Sequence, residues 1–117
     1  MIIEKTILDY LIKADIIGSE VYLETPDPMP SEYVLIEKTG SSESDHLCGA
    51  VIALQSISDK SLYRAAEINE AVKKAMQHIT DSTHITSSEL NTDYNYTNTT
   101  TKQYRYQAVY QIFYIGE

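Results

Sequence analysis

The stretch YRYQAVYQIFY, residues 104–114, decides the fold class because its side chains alternate with the two-residue period of a β-strand. One face of that strand carries Tyr104, Tyr106, Ala108, Tyr110, Ile112 and Tyr114. The other face carries Arg105, Gln107, Val109, Gln111 and Phe113. At about 3.3 Å per residue the strand would be about 36 Å long, which exceeds the usual length. Together with a strand over residues 85–96 and a polar turn over 97–101, it predicts a long C-terminal hairpin that extends past the body of the domain.

Two amphipathic helices are expected on the N-terminal side of this hairpin. The first has apolar residues at helical spacing and is expected to stop near Gly18: Ile3, Ile7, Tyr10, Leu11 and Ala14. The second follows a cap at Ser58 or Asp59 and has a stripe with one polar break: Leu62, Ala65, Ala66, Asn69, Val72, Met76 and Ile79. Glu70 and Lys74 are spaced to pair on its outer face.

The remaining segments predict strands between the helices. Residues 47–57 are apolar at both parities, which indicates a strand covered on both faces and therefore central in the sheet. Residues 33–38 form its hairpin partner, with 39–45 as a polar loop, and 20–24 a short strand. Three prolines within 26–30 indicate a rigid connector. The sequence thus predicts one domain over 1–117, an α+β fold with an antiparallel or mixed sheet backed by two α-helices.

The net charge of −8, from 17 acidic and 9 basic residues, argues against specific nucleic-acid binding, which needs basic residues to neutralise phosphates. It argues equally against docking on an anionic membrane. The N-terminus has no signal-peptide pattern and no stretch reaches the ~20 apolar residues that span a bilayer, so we expect a cytoplasmic protein. The single cysteine cannot form an internal disulfide.

Two groups of residues are candidates for a catalytic or a metal site. Asp45, His46 and Cys48 could supply a nucleophile, a base and an orienting acid, but a buried cysteine that packs as a small hydrophobe is the simpler interpretation. His78 and His84, with Asp81 between them, lack the four ligands of a structural zinc site. A histidine at the end of a helix and a polar connector are the simpler interpretations. We therefore expect no enzyme activity, no metal and no cofactor.

Tyrosine is the dominant aromatic residue, with ten copies against one Phe and no Trp. Its apolar ring and single hydroxyl suit both half-buried strands and protein interfaces. Tyr106 and Tyr110, in the middle of the last strand, are expected in the core. Tyr94, Tyr96 and Tyr104, near the hairpin end, are expected to contact a partner subunit.

Several motifs, in this order and spacing, resemble the tail-completion proteins of siphophages and prophages, also called tail terminators or head–tail joining proteins. They are EYVLI at 32–36 followed by Thr39-Gly40, SDH at 44–46, ALQS at 53–56, LYRAAEIN at 62–69 and YRYQAVY at 104–110. The resemblance runs from about Val21 to the C-terminus. It transfers no catalytic residue.

The resemblance implies a ring of copies of this chain, commonly a hexamer, that caps the head-proximal end of the tail tube. Its partners would be itself, the tail tube protein and the head connector protein, in the host cytoplasm during assembly and then in the virion. DNA would pass through the ring without being gripped by the acidic subunits. The interface is expected at the 40–45 loop and the C-terminal hairpin: Gly40, Ser42, Glu43, Asp45, Tyr94, Tyr96, Asn98 and Tyr104. The alternatives are a head-closure or connector-adaptor protein, or a generic cytosolic protein-binding module.

Overall fold

The computed structural model describes residues 2–98, 100–101 and 103–116 of the chain. The elements are α1 (Ile3–Ala14), β1 (Glu20–Tyr22), β2 (Glu32–Ser44), β3 (Leu47–Ser58), α2 (Leu62–Met76), α3 (Ile79–Ser82), β4 (Ile85–Asn95) and β5 (Tyr104–Ile115). The strands form one sheet in the order β1-β2-β3-β5-β4. β1 is parallel to β2, and the other neighbours are antiparallel. The predicted α+β fold with a C-terminal hairpin is confirmed.

β3 is the central strand, as its two apolar faces predicted. It pairs with β2 on one side and with β5 on the other along its whole length. Ala50, Ile52 and Leu54 point to one face and belong to the main core. Ala53 and Ile57 point to the opposite face and are each only 1% exposed. A strand covered on both faces can tolerate few polar side chains, which explains its nearly continuous apolar sequence.

The two long helices pack on the same face of the sheet. The core cluster takes Ile3, Ile7 and Leu11 from α1 and Ile68, Val72 and Met76 from α2. From β3 and β5 it takes only the side chains of one parity, which is the helix-covered face: Cys48, Ala50, Ile52, Leu54, Ala108, Tyr110, Ile112 and Tyr114. Each fully buried Ile or Leu contributes about 1.5–3 kcal/mol relative to an exposed one. Most of the stability therefore comes from this single helix–sheet layer.

The tyrosines on the helix-covered face of β5 differ in how deeply they are buried. Tyr110 is buried, as predicted, and burial raises the pKa of its hydroxyl to about 12. Tyr106 is only half-buried. The Tyr114 side chain, at the other end of β5, is also buried. The stripe therefore packs against the helices mainly through its last two tyrosines.

The predicted loop over residues 39–45 is wrong, because β2 continues to Ser44. Gly40 to Ser44 pair with Val51 to Leu47 of β3, so cross-strand pairing outweighs their turn-like composition. The reversal is a two-residue turn at Asp45 and His46, with φ angles of 48° and 70°. Positive φ at both central residues is the pattern of a type I′ turn, whose twist matches an antiparallel hairpin.

Three details of the helices also differ from the sequence prediction. α1 ends at Ala14, which is exposed, and Asp15 takes the left-handed conformation at φ 53°, so the helix stops before Gly18. α2 is capped by Ser61, whose Oγ accepts a hydrogen bond of 3.0 Å from the Arg64 amide, rather than by Ser58 or Asp59. Its buried stripe includes Ile68, which the predicted spacing omitted.

Two further helix predictions need correction. Leu62 is 37% exposed, so the apolar stripe of α2 begins one turn later than predicted. Glu70 pairs with Lys73, whose Nζ lies 2.9 Å from its carboxylate, rather than with Lys74. Lys73 lies on this side of the helix, where its Nζ is also 3.1 Å from Asp93 of β4. The same Asp93 accepts a 2.9 Å hydrogen bond from buried Asn69, which explains the polar break in the stripe.

The prediction that the C-terminal hairpin extends past the body is wrong. β5 lies between β3 and β4, and it pairs with β3 from Tyr104 to Ile115. Among the described residues, the part of this hairpin that lies beyond the sheet is its tip, where Asn98 and Gln103 form an isolated bridge. Thr99, within the predicted turn, lies outside the described residues. The whole length of β5 therefore lies within the sheet.

Glu32, at the start of β2, connects the sheet to the start of α2. Its Oε2 accepts hydrogen bonds from Arg64 Nε at 2.7 Å and from Ser58 Oγ at 3.1 Å, and Lys60 Nζ lies 3.7 Å from Oε1. Desolvation alone would raise the pKa of the Glu32 carboxyl, but the two hydrogen bonds and the two positive charges outweigh it and lower the pKa. The charged form is therefore favoured by folding.

We predict that Glu32→Gln lowers the free energy of unfolding at pH 7 by about 1–2 kcal/mol, because a charge-assisted hydrogen bond is lost. Since folding lowers the pKa of Glu32, its contribution is complete above the unfolded pKa near 4.5 and disappears as the pH falls through the folded pKa. Urea unfolding from pH 7 to pH 3 measures this. The matched control Glu67→Gln removes the exposed, 3.7 Å partner of Arg64 and should change little. An equal loss for Glu32→Gln at pH 3 and pH 7 would contradict the prediction.

Candidate interaction surfaces

The sheet face opposite the helices, here called the open face, is not covered by a helix in the described part of the chain. The strand registers place these residues on it: Tyr33, Leu35, Glu37, Gly40, Ser42, Ser44, Leu47, Gly49, Val51, Ala53, Gln55, Ile57, Ser87, Glu89, Thr92, Tyr94, Arg105, Gln107, Val109, Gln111, Phe113 and Ile115. It falls into three parts, which differ in what covers them: a covered end near the hairpin tip, a hydrogen-bonded middle and an uncovered apolar end.

The middle of the open face is a hydrogen-bonded row across four strands, formed by Glu37, Gln55, Gln107 and Tyr94 and here called the glutamine row. The Gln55 side-chain amide donates to Gln107 Oε1 at 2.9 Å and to Glu37 Oε2 at 3.4 Å. Gln107 Nε2 donates to Tyr94 OH at 2.6 Å. Gln55 Oε1 accepts from Arg105 Nη1 at 2.9 Å. Gln55 is 5% exposed, so a polar side chain in the central strand is fully used by its neighbours.

One end of the open face is covered by the proline-rich segment and the hairpin tip. Gln103 Nε2 donates to Tyr33 OH at 3.3 Å, and Tyr33 OH donates to Met29 Sδ at 3.6 Å. Arg105 Nη2 donates to Gln103 Oε1 at 2.6 Å, which ties this end to the glutamine row. Tyr33 and Ile57 are each 1% exposed as a result. The connector predicted to be a rigid surface segment thus acts as a lid over part of the sheet.

The other end of the open face carries an apolar patch in which exposed Leu47 and Ile115 lie beside half-buried Phe113. Leu47 and Ile115 face each other in the register and are 41% and 52% exposed. The Phe113 ring lies against Gly49, where an added Cβ would come within 3.0 Å of a ring carbon. Contiguous exposed apolar side chains of this kind mark contact surfaces. Sequence reasoning missed the patch, although Phe113 and Val109 interrupt the polar parity of β5.

The residues predicted for the interface fall into two sets at opposite ends of the sheet. Gly40, Ser42, Glu43 and Asp45 lie on the distal half of β2 and in its turn, and Asp45, Ser42 and Glu43 are exposed. The second set belongs to the β4–β5 hairpin: Tyr94, Tyr96, Asn98 and Tyr104. Through the registers the first set begins at the level of Gln111 of β5 and the second ends at the level of Gln107, so at least four residues, about 13 Å, separate them along the strand. The structure does not bring the two sets together into one site.

Within the second set the side chains also differ in direction. Tyr94 and Tyr96 are exposed and their rings meet edge to face, with centroids 5.9 Å apart. Tyr104 pairs with Ser58 on the helix-covered face and is half-buried. The tyrosine pair and Asn98 are therefore available to a partner on the hairpin side, whereas Tyr104 is at the helix side of the same end.

The candidate catalytic and metal-binding residues lie in different parts of the fold. Cys48 is buried in the core cluster, as predicted, with Sγ 3.9 Å from Glu43 Oε2. His46 is exposed in the β2–β3 turn. His78 lies two residues after Met76, the last residue of α2, and its Nδ1 lies 3.4 Å from Asp81 Oδ2. Among the described residues there is no group of three or more potential metal ligands.

A groove of about 700 Å³ lies between α1 and the connector before β4, lined by Thr6, Asp9, Tyr10, Ile12, Lys13, Thr83 and His84. The Tyr10 hydroxyl is already used, since it donates to the Ala75 carbonyl at 2.6 Å. Asp9 is paired with Lys5 at 2.6 Å. The groove is open, and its polar groups serve the surrounding structure. No helix in the described part of the chain has the length and apolar character needed to cross a bilayer.

We predict that Gln55→Ala lowers the free energy of unfolding by about 2–3 kcal/mol, because it leaves Arg105, Gln107 and Glu37 without their shared partner. Urea unfolding measures the change. The matched control is Gln111→Ala on the same face, which removes one hydrogen bond of 3.3 Å to the Ala50 carbonyl and should cost about 0.5–1 kcal/mol. Equal losses for the two variants would show that the glutamine row adds nothing beyond a single bond.

Comparison with known proteins adds to this description. No protein-family model matches the sequence, and no curated protein matches it. Chains of solved structures do match. One belongs to a structure described as the virion of a native gene transfer agent (GTA) particle, and it is similar to this chain with a TM-score of 0.71 at 16% identity. The match covers 97% of this chain and 94% of the other. The present chain therefore shares its fold with a virion component along nearly the whole length of both.

Proposed function

We propose that this chain is a structural protein of a phage or phage-like particle. More specifically, we propose that it caps the head-proximal end of the tail tube and joins it to the head connector as a ring of identical copies. The observation that carries the proposal is the fold shared with a chain of a GTA virion over 97% of the present chain. Because the match leaves almost no part of either chain uncovered, the comparison concerns the whole domain rather than a common substructure.

The resemblance to tail-completion proteins supports the more specific role. The motifs that carry it lie in elements that build the domain: residues 32–36 open β2, 53–56 lie in the middle of β3, 62–69 form the first half of α2, and 104–110 form most of β5. They are spread over the sheet and over one helix packed on it. The resemblance and the shared fold thus favour the same class of protein by independent routes, one from residues and one from backbone shape.

The surface supports action by contact rather than by catalysis. The exposed features are an apolar patch, a pair of tyrosines and open strand edges, all of which suit protein partners. Cys48 is buried in the core cluster whereas His46 is exposed in the β2–β3 turn, so the residues that could have formed a nucleophilic site pack as ordinary structure. We propose that the chain has no enzymatic activity and needs no cofactor.

The net charge of −8 fits a ring through which DNA must pass. An acidic subunit repels phosphate at short range, so the DNA would slide through instead of being retained. The partners in this proposal are other copies of the chain, the tail tube protein and the head connector protein. The chain would meet them in the host cytoplasm during assembly and remain in the virion.

Deletion of the gene from its phage or prophage, followed by electron microscopy of the particles, tests the proposal. We expect overlong tails, or tails separate from DNA-filled heads, because nothing stops the tube or attaches it. Heads that leak DNA would instead favour the alternative of a head-closure or connector-adaptor protein. Normal joined virions would contradict both roles and favour a protein-binding module outside the particle.

Complementation of the deletion with a Cys48→Ala variant provides the control for catalysis. The variant should restore normal particles, because loss of a buried sulfur costs only about 1 kcal/mol of stability. The variant protein should be checked for wild-type abundance by immunoblot. Failure of an abundant Cys48→Ala protein to restore particles would contradict the proposal that the chain acts by contact alone.

A further inference from the structure

Besides the outer edge of the three-residue β1, two longer stretches of strand edge have no strand partner among the described residues. β1 pairs with β2 only from Tyr33 to Leu35, although β2 continues to Ser44. The β1 side of β2 is therefore open beyond Leu35. β4 pairs with β5 on one side only, so its outer edge is open from Ile85 to Asn95. An open edge presents unpaired amide and carbonyl groups and is a template for another strand.

The two open edges lie at the same level of the sheet. Ser88 of β4 pairs with Ile112 of β5, which pairs with Ala50 of β3. Ala50 in turn pairs with Ser41 of β2. Because three successive antiparallel pairings separate β2 from β4, the two edges run in opposite directions. A second copy placed beside the first, without a shift along the strands, would bring its β2 edge antiparallel to the β4 edge of the first.

We propose that the chain binds a second copy of itself by this route, with residues 86–92 of β4 pairing with residues 37–43 of β2 in the neighbouring copy. The inference rests on the proposed function, in which the chain acts as a ring. The contact is head-to-tail, since each copy uses two different edges. Every added copy leaves one edge free for the next, and the assembly ends when the last copy meets the first.

The side chains at this junction are compatible in the unshifted register. Ser88 of one copy lies opposite Ser41 of the next, and Glu89 lies opposite Gly40, which has no side chain to crowd it. No like charges meet directly at these positions, where they would be unfavourable. Ser88 Oγ has no hydrogen-bond partner in the described residues, and the exposed Ser41 hydroxyl of the neighbour would supply one after a rotation about χ1.

The bends of the two edges also correspond. β4 has a first bulge between Ile85 and Ser87, at the start of the proposed pairing. Its second bulge, between Leu90 and Thr92, and the bulge of β2 between Lys38 and Gly40 are near each other. Across the sheet these bulges lie within one residue pair of each other, next to the level of Lys38 and Leu90. A bulge bends its strand, so both edges change direction at nearly the same level. Beyond Glu37, β1 occupies the edge of β2 at Tyr33 to Leu35, which limits how far the proposed pairing can extend.

Disulfide trapping tests the junction. The variant Ser41→Cys/Ser88→Cys is made in a Cys48→Ala background, so that no other thiol is present. Opposed residues of an antiparallel pair have Cα atoms about 4.5–5.5 Å apart, within the range that a disulfide spans. Mild oxidation should give a ladder of linked oligomers on a non-reducing gel. An equal mixture of the two single-cysteine variants should give linked dimers only, and each single variant alone should give none.

The matched control is Lys13→Cys/Glu67→Cys in the same background, which places both thiols on exposed helix positions away from the edges and should give no ladder. Both double variants are oxidised in two samples. One is the concentrated purified protein, and the other is the cell fraction of a phage-producing strain that contains the chain. Dimers from Ser88→Cys alone would indicate a β4–β4 contact and overturn the proposal. Absence of the Ser41–Ser88 ladder in both samples would also overturn it. Immunoblotting of purified particles for the wild-type chain tests the proposed structural role separately from the proposed edge pairing.

Discussion

The burial of β3 on both faces is the constraint on which the rest of the structure depends. Its helix-covered face packs on α2 within the core cluster that α1 also joins, and its opposite face must be completed without a helix. The chain does this with small residues such as Ala53, with the hydrogen bonds that satisfy Gln55, and with the proline-rich segment over Ile57. Because β2 and β5 both pair with β3 over its full length, their registers and the direction of every side chain follow from it.

The same constraint decides where the molecule can meet others. With the helices on one face and β3 at the centre, the surfaces available for contact in the described part of the chain include the uncovered end of the open face, the Tyr94–Tyr96 pair and the open strand edges of the sheet. β1 is only three residues long and covers a small part of β2, so the distal half of β2 has an open edge. The net charge of −8 favours repulsion between copies, so contact between them would rely on these apolar side chains and open backbone edges.

The sequence was sufficient for the features set by periodicity. The alternation of residues 104–114 predicted β5, the two apolar parities of 47–57 predicted the central strand, and the stripe in 62–76 predicted α2. It failed where tertiary pairing overrides local preference: Gly40 to Ser44 have a loop-like composition but are paired by β3. The candidate surfaces were only partly predictable, because exposure of Leu47 and Ile115 depends on the absence of a covering helix, which periodicity does not encode.

A cryo-electron microscopy map of the assembled particle is the measurement that tests most directly whether this chain is a structural protein at the head–tail junction. The proposal predicts a ring of density at the head-proximal end of the tail into which the five-stranded sheet and its two long helices fit without rearrangement. Density for this fold at another position in the particle would contradict the tail-completion role. Purified, intact particles that contain no copy of the chain would contradict a structural role altogether.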